Sequence, residues 1–168
     1  AGPAPGRLLA GLLVLTGPWL AMTQLHGASS RGPALVLFLL ILIWTADIAA
    51  YCAGRRWGRT KLAPVLSPGK TWAGVLGAGA GAALLGLALG YWLDFAPLAT
   101  LGALLLCLAT AFISVVGDLF ESLLKRRQGV KDSGHLLPGH GGLLDRIDSL
   151  TAAAPFFVLG LIWLGVPT

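Results

Sequence analysis

The sequence predicts an all-α fold, a polytopic transmembrane helix bundle with about five spans and a polar loop on the cytosolic side. Three observations predict this class. Hydrophobic residues make up 56% of the 168-residue chain, charged residues only 11%, and the mean hydropathy is +0.81. These values exclude an ordinary soluble domain of this length and are typical of integral membrane proteins.

Five apolar stretches are each long enough to cross a bilayer of about 30 Å as a helix. They cover roughly residues 7–25, 33–53, 71–93, 97–124 and 147–166. We therefore expect a single membrane domain over residues 1–168. The first stretch follows one arginine and lacks a small-residue cleavage site, so it is interpreted as a span rather than a signal peptide. The third is rich in Gly and Ala between Trp72 and Ala82, which favours close helix packing.

Basic residues cluster in two connecting segments, from Arg55 to Lys70 and from Lys125 to Arg146. Basic flanks of membrane spans mark the cytosolic side. Placing both segments in the cytosol leaves Arg31 as the one basic residue predicted outside. The same residues are suited to bind anionic lipid or nucleotide phosphates.

The fourth stretch carries polar residues in its C-terminal half at spacings of three and four: Ser114, Asp118, Glu121, Ser122 and Lys125. A helix would place them on one face. Ionisable groups near membrane depth are costly unless they are paired, hydrated or bound to a metal. Two interpretations stay open: pairing of Lys125 with Asp118 or Glu121, or a functional face.

Asp145 and Asp148 repeat this spacing at the start of the fifth stretch. Together with Asp118 they would form a cluster of hard oxygen ligands suited to Mg²⁺, alone or with a second cation. Asp47 and Tyr51 lie four residues apart in the second stretch, and they either hydrogen-bond to each other or extend the same polar site.

Cations and glycines surround these acids. Phosphate oxygens could be contacted by Lys70, Lys125, Arg126, Lys131 and Arg146, and the glycines of residues 139–142 allow backbone amides to approach. This combination is typical of phosphoryl or nucleotidyl transfer. His140 is interpreted as a loop histidine that binds phosphate or backbone, because no cysteine or helical histidine accompanies it as a zinc ligand.

The polar residues of this region follow one extended pattern, Ser122-x2-Lys125-Arg126-x4-Lys131-Asp132-x-Gly134-x2-Leu137-Pro138-Gly139-His140-Gly141-Gly142-x2-Asp145-Arg146-x-Asp148. It resembles the signature of the phosphatidate cytidylyltransferase (CDP-diacylglycerol synthase) family. Upstream, residues 44–54 and 61–71 are similar to the family's other polar segments. The resemblance runs from Trp44 to the C-terminus, so we expect a short or truncated form with the catalytic half and its signature at residues 114–148.

The resemblance implies Mg²⁺-dependent transfer of CMP from CTP to phosphatidate, which gives CDP-diacylglycerol and pyrophosphate. It implies that Asp118, Asp145 and Asp148 organise metal and are catalytic together with Lys125. The implied substrate-binding residues are Asp47, Tyr51, Ser67, Lys70, Thr71, Ser122, Arg126, Lys131, Asp132, His140 and Arg146. The expected partners are CTP, phosphatidate, the lipid bilayer and a second copy in a homodimer, with no nucleic acid. The expected location is the bacterial inner membrane, with the site facing the cytosol.

Other functions remain open from the sequence. An ion-coupled transporter or channel would use Asp47, Asp118 and Asp145 along a cation path, but it predicts polar residues throughout the membrane depth. A related lipid-phosphate enzyme is a further alternative. An inactive relative is another, because Ala73 stands where the resembled family usually has a glutamate.

Overall fold

The computed structural model describes residues 5–130 and 148–167. In this part of the chain, the elements in order are α1 (Pro5–Gly27), α2 (Gly32–Trp57), β1 (Lys61–Ala63), β2 (Ser67–Thr71), α3 (Trp72–Trp92), α4 (Pro97–Arg127) and α5 (Asp148–Trp163). Each predicted apolar stretch falls largely within one helix. Three helices end beyond the predicted spans, since α1 ends at Gly27 rather than residue 25, α2 at Trp57 rather than residue 53 and α4 at Arg127 rather than residue 124.

Three of the described helices, α2, α3 and α4, are long and apolar enough to cross a membrane. Helix α5 is a shorter apolar helix of 16 residues. Large apolar side chains such as Leu76, Leu84, Leu98 and Trp163 are exposed on the outside of the bundle, where lipid would cover them. The prediction of an integral membrane protein is supported, and the count of five spans stays a prediction.

The helices pack in a closed ring. Helix α2 packs against α3, α3 against α4 and α4 against α5, and α1 contacts both α5 and α2. Helices α4 and α5 are antiparallel, because Gly117 lies next to Ala152 and Gly102 next to Leu164. The C-terminal ends of α2 and α4 and the N-terminal ends of α3 and α5 therefore meet at the end of the bundle that carries the β-hairpin, here called the hairpin end.

The core fills the inside of this ring. Leu35, Leu39 and Leu42 of α2 are fully buried and recur every three or four residues, as one helix face requires. Phe157 of α5 is also fully buried and stacks on Phe38, with ring centroids 6.0 Å apart. These contacts fix the direction in which the polar residues of α2 and α5 point at the hairpin end.

Helix α3 uses glycine to approach its neighbours closely. A β-carbon at Gly77 would lie 2.6 Å from the carbonyl oxygen of Ala49 on α2, and one at Gly86 would lie 2.5 Å from the Cα of Leu104 on α4. Both distances are too short for any side chain, so the two helix pairs depend on glycine at these positions. The prediction that the small residues of this span serve packing is confirmed.

The β-hairpin is a departure from the all-α prediction, which treated this segment as a loop. Strand β1 pairs antiparallel with β2, with Lys61 opposite Thr71 and Ala63 opposite Ser67, and the register is irregular in between. Pro64, Pro68 and Gly69 disfavour regular strands, which is why the pattern did not predict one. A short bulged pair accommodates them.

Candidate functional site

A cavity of about 470 Å³ opens at the hairpin end, between α2, the hairpin, the start of α3, α4 and the start of α5. This volume is in the range of small-molecule sites, roughly 300–1,000 Å³. Its polar and charged lining residues are Asp47, Tyr51, Arg55, Lys61, Ser67, Lys70, Thr71, Asp118 and Ser149. Six of the predicted site residues are thus brought to one cavity: Asp47, Tyr51, Ser67, Lys70, Thr71 and Asp118.

An ion pair joins two walls of the cavity. The Nζ atom of Lys70, on β2, lies 2.5 Å from Oδ2 of Asp118 on α4. The same Nζ donates a hydrogen bond of 3.4 Å to the carbonyl oxygen of Val115. The hairpin is therefore fastened to α4 at Asp118, one of the residues predicted to be catalytic.

Asp118 is not alone. Asp47 and Asp148 are close enough that the negative charges of Asp118 and Asp148 act on Asp47, and the positive charge of Lys70 acts on both Asp47 and Asp148. Lys125 adds a second positive charge near Asp148. Three carboxylates from α2, α4 and α5 thus share one electrostatic environment with two lysines.

Asp148 begins α5 and organises its first turn. Its Oδ1 accepts a hydrogen bond of 2.7 Å from the backbone N–H of Ser149. Its carbonyl oxygen accepts one of 2.7 Å from the Thr151 hydroxyl. A carboxylate at a helix N-terminus is favoured by the helix dipole, and this and the Ser149 N–H offset part of the cost of placing an acidic group here beside Asp118.

On α2, a row of polar groups runs from the inside of the cavity to its mouth. Asp47, Tyr51 and Arg55 are spaced four residues apart and share a helix face. Nη1 of Arg55 donates a hydrogen bond of 3.2 Å to the Tyr51 hydroxyl oxygen. Of the two interpretations of Asp47 and Tyr51, the structure favours the shared polar site, because both residues line the cavity and, in the described part of the chain, no hydrogen bond joins them.

Thr71 has a structural task as well as a place in the cavity. It is 4% exposed, and its Oγ1 accepts a hydrogen bond of 3.1 Å from the backbone N–H of Gly74. This is the N-cap of α3. Its predicted contact with substrate, like that of Ser67 beside it in the cavity, stays a prediction.

The remaining described candidates lie on the last turns of α4. Lys125 forms an ion pair with Glu121, with Nζ 3.3 Å from Oε1, which is one of the two structural pairs considered for Lys125. The Ser122 hydroxyl lies 3.5 Å from Oδ1 of Asp118 and donates to it. Arg126 is in the final turn.

Five predicted site residues lie outside the described residues: Lys131, Asp132, His140, Asp145 and Arg146. Within residues 5–130 and 148–167, no group of three His, Cys, Asp or Glu side chains is arranged to hold a metal ion. The predicted cluster that includes Asp145 therefore stays a prediction.

Three polar or charged cavity residues were not among the predicted site residues, namely Arg55, Lys61 and Ser149. Arg55 could have been found by extending the four-residue spacing of Asp47 and Tyr51 by one step. Ser149 follows directly on Asp148. Lys61 could not have been found in this way, because only the hairpin brings it beside α2.

Comparison with known families shows which family this chain belongs to. A model of the "Cytidylyltransferase family" matches residues 5–163. The chain belongs to the cytidylyltransferase family. This membership confirms the resemblance that the signature residues indicated.

Curated relatives of this family member carry a more specific name. The chain is similar to a Pseudomonas aeruginosa protein named phosphatidate cytidylyltransferase (47% identical over 157 residues, 94% of this chain and 57% of the relative). The same name belongs to relatives from Haemophilus influenzae (50% over 130 residues, 76% and 45%) and Brucella suis (46% over 157 residues, 94% and 56%). The chain spans about half the length of these relatives.

Proposed function

We propose that this chain forms the catalytic half of a phosphatidate cytidylyltransferase. It would transfer CMP from CTP to the phosphate of phosphatidate, with release of pyrophosphate. The observation that carries the proposal is the ion pair of Lys70 and Asp118 inside a cavity shared with Asp47 and close to Asp148, at one end of a bundle of apolar helices. The names of the relatives supply the two substrates.

The acidic residues fit a hard divalent cation such as Mg²⁺. Asp118 and Asp148 offer carboxylate oxygens, the ligand type this ion prefers, and the mutual repulsion of the carboxylates favours a cation among them. In this proposal Asp145 joins them as a ligand. The ion, when bound, would neutralise charge on the phosphates during transfer.

The lysines would act on the phosphates directly. Lys70 reaches into the cavity from β2, and Lys125 lies near Asp148, so both can offset the negative charge that two phosphorylated substrates bring together. With both substrates bound beside these lysines, an oxygen of the lipid phosphate would attack the α-phosphorus of CTP. Most of the rate enhancement would come from positioning and charge neutralisation.

The membrane setting suits a substrate pair of this kind. Phosphatidate can keep its acyl chains beside the exposed apolar helices while its headgroup enters the cavity. We propose that the hairpin end faces the cytosol of a bacterial inner membrane, because the cations Arg55, Arg56, Arg59 and Lys61 gather there whereas Arg31 lies at the opposite end. A homodimer is part of the same proposal, and native mass spectrometry in detergent would test it.

The first experiment is an assay with radiolabelled CTP and phosphatidate, run on the full chain in detergent with Mg²⁺ and then with EDTA. We expect labelled CDP-diacylglycerol with Mg²⁺ and none with EDTA. No product from folded protein under either condition would contradict the proposal and turn attention to an inactive relative or a transporter.

Variants refine this assay. Asp118→Asn and Asp145→Asn each remove a charge with little change of shape, and we expect each to lower turnover by about a hundredfold or more. Asp94→Asn is the matched control, because Asp94 lies in the turn before α4 at the opposite end, and asparagine tolerates its positive φ of 56°. Equal turnover in Asp118→Asn and Asp94→Asn would remove Asp118 from the catalytic residues.

A further inference from the structure

The charges in the cavity are separated along its length. The acidic groups lie further along the helices, away from the hairpin end: Asp47 is ten residues before the end of α2, about 15 Å along the helix axis. The cations Arg55 and Lys61 line the same cavity at the end of α2 and the start of β1, and both are exposed, so we call this part of the cavity its mouth. A nucleoside triphosphate is itself unequal in charge, because its β,γ-diphosphate end is the most negative part.

Arg55 is held in place by a neutral group. Its guanidinium donates to the Tyr51 hydroxyl at 3.2 Å, and the ion pairs recorded among the described residues involve only Lys70 and Lys125 as cations. Its positive charge is therefore available to a ligand, while the hydrogen bond to Tyr51 limits its rotamers. Arginine presents a planar group of donors that matches two phosphate oxygens at once.

We propose that Arg55, positioned by Tyr51, and Lys61 bind the β- and γ-phosphates of the nucleotide and hold them as the pyrophosphate leaving group. This inference rests on the proposed function and adds the direction of the nucleotide. The α-phosphate lies toward Asp118 and the diphosphate toward the mouth. In the transfer, the bond from the lipid phosphate oxygen to the α-phosphorus forms, and the bond from that phosphorus to the bridging oxygen breaks. The electron pair leaves with pyrophosphate, toward the cations and the open end.

The same cations could instead bind the phosphate of a lipid headgroup, since the chemistry of recognition is shared. The two sources predict different losses. If the cations hold the nucleotide's diphosphate, their removal weakens the binding of CTP and pyrophosphate but not the binding of CMP or phosphatidate. If they hold lipid, the KM for phosphatidate rises and inhibition by pyrophosphate does not change.

The test compares Arg55→Ala with Arg56→Ala in the full chain. Arg56 is the adjacent arginine, but its guanidinium lies 6.0 Å from the ring centroid of Trp57 and it does not line the cavity. For Arg55→Ala we expect the KM for CTP and the inhibition constant for pyrophosphate each to rise about tenfold or more. We expect the inhibition constant for CMP and the KM for phosphatidate to stay within about twofold, and Arg56→Ala to behave as the unmodified chain.

Arg55→Lys and Tyr51→Phe provide second variants. Arg55→Lys keeps a positive charge without the paired donors and should recover part of the pyrophosphate affinity. Tyr51→Phe should lower the affinity for pyrophosphate less than Arg55→Ala does. Pyrophosphate binding measured by calorimetry, without turnover, gives a readout that does not depend on catalysis.

Three results would overturn the inference while leaving the proposed function intact: an active Arg55→Ala variant that matches Arg56→Ala, a parallel loss of CMP and CTP affinity, or a loss confined to phosphatidate. Absence of turnover in the unmodified chain would instead count against the proposed function and, with it, the inference.

Discussion

The ion pair of Lys70 and Asp118 gives a prediction about stability that does not depend on activity. At 2.5 Å and an effective dielectric constant of about 20, the two charges attract by about 7 kcal/mol. Desolvation of the two ions offsets most of this. Because the side chains keep 22% and 31% of their exposure, we expect a net coupling of about 2 kcal/mol, above that of a surface pair.

The two single variants should differ. Lys70→Met leaves Asp47, Asp118 and Asp148 facing one another without that cation, and we expect it to destabilise the fold by about 3 kcal/mol. Asp118→Asn removes one of the three negative charges and leaves Lys70 near the other two, so the expected cost is about 1 kcal/mol. The double variant should fall short of the sum by the coupling of about 2 kcal/mol.

Thermal unfolding in mild detergent measures these differences. A loss of about 3 kcal/mol corresponds to a Tm lowered by roughly 6–12 °C for a chain of this size. Arg59→Met is the control: this exposed cation lies just before the hairpin, and its loss should cost less than about 0.5 kcal/mol. Strict additivity in the double variant, or a larger cost for Asp118→Asn than for Lys70→Met, would refute the reasoning.

Two further predictions concern packing and capping. Gly77→Ala should destabilise the fold by about 1–3 kcal/mol, because the new methyl group would press on the Ala49 carbonyl oxygen. Gly79→Ala on the same helix should be neutral or stabilising, because the nearest atom to its methyl group lies at 3.8 Å. Equal melting temperatures for the two variants would contradict the close approach of α3 to α2. Thr71→Val should destabilise the fold by about 1 kcal/mol, because the hydrogen bond from the Gly74 N–H is lost. Thr71→Ser keeps the hydroxyl and should retain most of the stability. A loss in Thr71→Ser with none in Thr71→Val would show that the methyl group, which valine keeps, and not the cap is what matters.

Local spacing was enough to predict which residues share a helix face near the cavity. Asp118, Ser122 and Lys125 could be placed on one helix face because helical periodicity relates residues three and four apart, and the pair of Lys125 with Glu121 has this origin. The five apolar stretches predicted the helices for the same reason, since each buries one face and exposes another to lipid.

The partner of Asp118 could not be predicted in this way. Lys70 lies on another element, 48 positions earlier in the chain, and only the fold of the hairpin against α4 brings it there. The hairpin itself was missed because Pro64, Pro68 and Gly69 contradict a strand pattern, and because the Lys70 contacts that hold it against α4 are distant in sequence. Spacing relates residues within a helix, whereas the cavity is built from several elements.

The depth of Asp118 has a consequence for how the substrates would meet. The residue lies nine positions before the end of α4, about 14 Å along the helix axis. If the proposed function holds, a nucleotide from solution would descend between the helices, while a lipid diffusing in the plane of the membrane would arrive from the side. The rate would then depend on a volume concentration for one substrate and on a mole fraction in the bilayer for the other. Membrane thickness and lipid dilution should change how the rate depends on phosphatidate, while its dependence on the nucleotide concentration should stay almost constant.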